Sequence, residues 1–255
     1  MYIFIGNLVL NGIFGSSTFM PKLISDLLSG SRTISTAGCF LQAFCMHSFA
    51  TVELFTFTLM AYDRFLAISQ PLRYSTLMTK QTVWKFIIAN WILAFIGILG
   101  PIIMTVYVPL CGVDINNVYC DNMSIVKLAC GDTSLNNIFG AVQSSVVQIG
   151  CLLVIVYCYI RTYLVCLKIS KEASQKATRT LVTHLTAFST FMISNLFILL
   201  RYRIPTGYIS IGTHTVLTII GIITPITLNP LIYGIRTEGL KLKILQTFSK
   251  IKEVL

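Results

Sequence analysis

The sequence predicts an all-α fold, a polytopic transmembrane helical bundle of six spans followed by a C-terminal amphipathic interfacial helix. Three observations carry this. The 255 residues are 55% hydrophobic and only 11% charged, whereas a soluble domain carries about a quarter charged residues. Mean hydropathy is positive. The apolar residues come in long blocks rather than in alternation, and inside lipid only helices or closed barrels satisfy the backbone. No linker-like run and no internal repeat divides the chain, so residues 1–255 form one transmembrane domain.

The first span covers about residues 2–27; it is uncharged from Tyr2 to Pro21 and is closed by Lys22 and Asp26. A Gly/Ser connector leads to the second, about 35–64, which holds Glu53 and ends on Asp63-Arg64 where helix meets water. Pro71 marks a turn after it. The third, about 83–108, carries Trp91 and a kink expected at Pro101. A longer loop over 109–132 precedes the fourth, about 133–165. A basic connector with Arg161, Lys168, Lys171, Lys176 and Arg179 leads into the fifth, about 176–203. A tight turn at Pro205-Thr206-Gly207 opens the sixth, about 208–235, with Pro225 and Pro230 inside it. Over about 237–252, Leu240, Ile244, Leu245, Phe248 and Ile251 recur at helical spacing with Lys241, Lys243, Lys250 and Lys252 between them. That pattern predicts a helix lying on the anionic inner leaflet.

A net charge of +10 would suggest nucleic-acid binding in a soluble chain. Here its placement speaks for membrane orientation instead. Of the 19 basic residues, only Lys22, Arg32, Lys127, Arg201 and Arg203 lie on the side reached after the odd-numbered spans. The richer side is cytoplasmic by the positive-inside rule. Both termini of this chain are therefore expected inside, and the cysteine-bearing loop outside.

Cys45, Cys151, Cys158 and Cys166 lie within or at the inner ends of spans, where thiols behave as small apolar groups. Cys39, Cys111, Cys120 and Cys130 lie on the oxidising outer face, and spacing alone leaves three pairings open. Asn122-Met123-Ser124 is a glycosylation sequon on the same loop. Glu53 is costly in the hydrocarbon region and must face an interior, with Asn7, Asn11 and Asn229 as candidate partners. Ion binding and interhelical glue both fit it. His47 lies outward of Glu53 on the same helix with no second ligand spaced for a metal. Neither His184 nor His214 is assigned a catalytic role. The signatures of zinc proteases, serine hydrolases, P-loops and dinucleotide folds are absent from the sequence, and nothing in it supports an enzyme.

Met60-Ala61-Tyr62-Asp63-Arg64-Phe65-Leu66-Ala67-Ile68 with Pro71-Leu72-Arg73-Tyr74 resembles the signature of odorant receptors, within the rhodopsin-like G-protein-coupled receptors. Asn229-Pro230-Leu231-Ile232-Tyr233 resembles the motif closing that class's last helix, and Lys176-Ala177 to Thr183-His184-Leu185 the family's entry to helix six. The loop with Cys111, Cys120-Asp121 and Lys127 to Cys130 is similar to the family's second extracellular loop. Asn11-Gly12 and Cys39-Phe40-Leu41-Gln42 look like fish-type members. The resemblance aligns Met1-Tyr2 with the start of the family's second helix. It therefore implies a rhodopsin-like seven-helix fold lacking helix 1 and its preceding tail, as in a fragment, a truncated gene model or a decayed gene.

The resemblance also implies roles. Arg64 would engage the G protein, held inactive by Asp63 and followed by Phe65 where tyrosine is usual. Tyr159, Asn229, Pro230 and Tyr233 would support activation. Cys39 would pair with Cys120, and Cys111 with Cys130. Glu53 matches the acid of a sodium site, sodium being an allosteric ligand and no other cofactor being implied, but Gly12 replaces the partner acid. The odorant pocket would involve Met46, His47, Ala50, Thr51, Gln143, Ser144, Asn195, Leu199 and Tyr202, and Met46 stands where amine receptors carry an acid.

The implied protein binds a small-molecule odorant and activates a heterotrimeric G protein of the stimulatory olfactory type. It sits among membrane lipid at the plasma membrane and takes no nucleic acid. One alternative is a truncated non-signalling fragment or pseudogene product retained in the endoplasmic reticulum. The other is a transporter or channel, for which Glu53 alone gives thin support.

Overall fold

The computed structural model describes residues 1–200 and 211–236, apart from the side chains at 176, 199, 211 and 234–236. The helices are α1 (Tyr2–Ser29), α2 (Thr36–Ser69), α3 (Pro71–Leu77), α4 (Lys80–Val106), α5 (Asn122–Val126), α6 (Ser134–Cys166), α7 (Lys171–Leu200) and α8 (Ile211–Arg236). Six of these, α1, α2, α4, α6, α7 and α8, are long and apolar enough to cross a membrane. The amphipathic helix expected over 237–252 and the turn at 205–207 lie outside the described residues.

Local chemistry sets the ends. Gly30 at φ 66° closes α1 in the left-handed conformation that glycine adopts without strain. Ser35 caps α2 by accepting from the Gly38 amide, and Thr79 caps α4 by accepting from Thr82. Pro71, read from sequence as a turn, instead opens α3, because proline's fixed φ and missing N–H suit the first helical position. The basic connector is also shorter than expected. Helix α6 runs to Cys166 and α7 starts at Lys171, so several of its charges stand on helix ends.

α2 is the central post and packs against α1, α4, α6 and α7. In its apolar window 56% of residues are buried, against 11% for α6, which turns most of its surface to lipid. The inner core surrounds Phe57, whose ring meets Phe188 edge-on at 5.8 Å and Phe191 at 5.6 Å. A polar ladder joins α1, α2 and α4. The Trp91 indole donates to Asn7 at 2.9 Å, and the amides of Asn7 and Asn90 each donate to the Thr56 hydroxyl at 2.9 Å. Each such bond contributes on the order of 0.6 kcal/mol in a membrane. Asn7 therefore serves this ladder and not Glu53.

At one end of the bundle, Cys39–Cys120 ties the start of α2 to the loop, and Cys111–Cys130 closes the loop on itself. The Cys111 and Gly112 amides both donate to the Leu128 carbonyl, and Cys130 N–H donates to Pro109. Gln42 fastens this cover down, accepting from the Cys120 amide at 2.8 Å while its own amide donates to Thr18.

Candidate functional site

Under that cover lies a cavity of roughly 460 Å³ walled by α2, α4, α5, α6, α7 and α8. Met46, His47, Ala50 and Thr51 reach it from α2, Gln143 and Ser144 from α6, and Asn195 from α7. The structure thus brings together seven of the nine pocket residues expected from sequence. The Leu199 side chain and Tyr202 lie outside the described residues. The apolar walls include Phe49, Leu54, Ile98, Phe191 and Ile222.

Most of the wall was not foreseen, and three of its polar residues are instructive. Gln148 follows Ser144 by four residues, so the one-face periodicity of α6 was a usable signal for it. Asp121 and Asn122 arrive from the loop, and only the disulfide at the preceding Cys120 hints that they turn inward. Asp121 caps α5, one oxygen accepting from the Ser124 amide and the other from the Asn117 side chain.

The sequon residue Asn122 is partly engaged. Its Oδ1 accepts from the buried Thr105 hydroxyl at 2.9 Å, and Ser124 is itself buried. Asn122 is half-buried and lines the cavity with Met123.

Halfway down the bundle, Glu53 is buried and clamped by two amides. Asn11 donates to one carboxyl oxygen at 2.6 Å and Asn229 to the other at 2.5 Å. Gly12, the glycine in the partner position, supplies no side chain and lies near the Ile226 carbonyl of α8. As placed, both amides turn N–H donors to the acid, while their own oxygens are left buried without a hydrogen-bond partner. They join α1, α2 and α8 directly.

At the inner end, the Arg64 guanidinium sits 3.1 Å from Asp63, whose side chain is almost wholly buried. The Tyr74 hydroxyl of α3 donates to the other Asp63 oxygen at 2.8 Å. Burial, and then that bond to Asp63, push the Tyr74 phenol up to about 12. Phe65 meets Tyr157 edge-on and lies tilted against Tyr62. Tyr159 packs on the inner core, and fully buried Tyr233 lies with its hydroxyl 3.1 Å from His184 Nδ1. Asn229 is the Glu53 partner just described, and Pro230 follows it inside α8. Sequence reasoning missed the parts of Tyr74 and His184, because each contact joins residues on different helices.

Membrane-length helices around a capped cavity, with a buried acid paired to a half-buried arginine at the other end, define a receptor of the rhodopsin-like fold. Squid rhodopsin has a similar structure, with a TM-score of 0.75 at 17% identity, covering 98% of this chain and 75% of that one. The olfactory receptor family profile matches residues 1–251. Mouse olfactory receptor 4B13 is 35% identical over 242 residues, 94% of this chain and 78% of the relative. Mouse olfactory receptor 6E1 is 33% identical over 99% of this chain and 81% of the relative, and human olfactory receptor 4L1 is 33% identical over 94% and 76%. The chain belongs to the olfactory receptor family. It is a multi-pass membrane receptor of the G-protein-coupled kind for odorants, and not an enzyme.

Proposed function

We propose that odorant occupies the cavity between α2, α6 and α7 and that the signal leaves at Arg64 for a G protein of the stimulatory olfactory type. One observation carries the reading: α2 bears residues of both places. His47, Ala50 and Thr51 stand at the cavity, and Asp63 and Arg64 stand on the same rigid helix, with Arg64 roughly 20 Å from Thr51 at the helical rise. Helix α7 repeats the relation, with Asn195 above and His184 below.

In the resting arrangement Asp63 holds Arg64, Tyr74 holds Asp63, and His184 meets Tyr233. Odorant shifts the population only by binding the open arrangement more tightly than this one. The opening releases Arg64 from Asp63 and Tyr233 from His184, and Tyr159 and Tyr233 then support the new packing. Basic residues around the inner ends face cytoplasm and anionic lipid, in a receptor delivered to the plasma membrane. The amide clamp on Glu53 ties α1 and α8 to α2, and no step runs through a cation.

The test is odorant-evoked cAMP in cells that display the tagged chain with the stimulatory olfactory G protein. The reading expects a saturable response that disappears when that G protein is withheld. A response that persists without it assigns a different coupling partner.

A further inference from the structure

Resting on the odorant reading above, we infer the chemical class of the ligand: an uncharged molecule with at least two hydrogen-bonding groups on an apolar skeleton, and neither a carboxylic acid nor an amine. The cavity wall carries hydrogen-bonding capacity that the protein leaves unused. Among the described residues the side chains of His47 of α2, Gln148 of α6 and Asn195 of α7 line the cavity without a hydrogen-bond partner, and Asn136 Nδ2 of α6 is buried there unpaired. They stand on three different helices, and each can donate and accept while neutral. By contrast Gln143, Asn122 and Asn137 line the same space with an amide atom already engaged, by Gly97, Thr105 and Thr133 respectively.

Charge is matched by nothing there. No lysine or arginine lines the cavity among the described residues, so a carboxylate would be buried without a counter-charge. The one acid, Asp121, has both oxygens occupied, by the Ser124 amide and the Asn117 side chain, and an ammonium would have to displace them. The rest of the wall is apolar, supplied by residues such as Leu54, Ile98, Phe191 and Ile222. A skeleton of carbon fits that surface, while a single polar group would leave most of the free polar side chains unpaired.

The experiment uses the full chain, displayed at measured surface density, with cAMP as readout. The probes are diols, hydroxy-ketones, fatty acids and primary amines on linear, branched and ring skeletons of matched carbon number. Diols or hydroxy-ketones should be the most potent class. His47→Phe, Gln148→Leu and Asn195→Leu should each weaken that class about tenfold at equal surface density, the loss expected for one hydrogen bond. Acids or amines as the most potent class would overturn the inference, as would three substitutions without effect. Silence to every class in cells whose basal cAMP exceeds that of mock-transfected cells also overturns it. Silence without basal cAMP contradicts the odorant reading itself, so the two failures are distinguishable.

Discussion

The side-chain amide of Gln143 donates to the backbone carbonyl of Gly97 at 2.6 Å, joining α6 to α4. The bond answers a defect four residues further on. Pro101 has no N–H, so the Gly97 carbonyl lacks its usual partner within the helix. Gln143→Leu should therefore strand a carbonyl inside the bundle and lower stability by roughly 1 kcal/mol, read as a fall of a few degrees in Tm in detergent. Pro101→Ala restores the missing N–H, so Gln143→Leu should cost less in that background. Equal costs in the two backgrounds would contradict this pairing.

Gly15 faces the ring of Phe49 so closely that an added Cβ would lie 2.7 Å from a ring carbon. Because α1 must approach α2 at this point, Gly15→Ala should force the ring aside and cost about 1–3 kcal/mol. A lower yield of folded receptor and a lower Tm are expected. An alanine variant as stable as the parent would show that the two helices are further apart.

Tyr74 holds Asp63 from below, and its phenol, raised to about 12, stays protonated at any physiological pH. The sign follows directly. A raised pKa keeps the donor in place below the unfolded value near 10 and loses it only as pH climbs through about 12. The restraint should thus be constant between pH 6 and 9. Tyr74→Phe removes it, and basal cAMP should rise about threefold to tenfold, the effect of roughly 1 kcal/mol on a two-state population. Basal cAMP equal to the parent's would remove Tyr74 from the resting lock.

Asn122 spends its carbonyl oxygen on Thr105 at the cavity. Receptor recovered from the cell surface should show no change in gel mobility after glycosidase treatment, and Asn122→Gln should migrate as the parent does. A shift on digestion, absent in Asn122→Gln, would place the loop differently.

The fold was legible because hydropathy writes it directly. Each span is an apolar block, and Gly30, Ser35 and Thr79 sit where the helix ends fall. The cavity was mostly legible through resemblance, which led to Met46, His47, Thr51 and Asn195. What stayed hidden was tertiary. Pro71 permits a turn or a helix start, and only the return of Tyr74 to Asp63 makes the helix useful. Asn7 and Asn11 look alike in sequence, yet one turn of helix sends Asn7 to Thr56 and Asn11 to Glu53. Sequon chemistry says nothing about which way a loop side chain points, so the contact of Asn122 with Thr105 could not be read from it.

The most direct test of the central claim is ligand-evoked cAMP from Arg64→Ala, compared with the parent at equal surface density. The account predicts that the response vanishes while folding and delivery survive, because the arginine released from Asp63 is the group offered to the G protein. A normal dose–response curve from Arg64→Ala would contradict it.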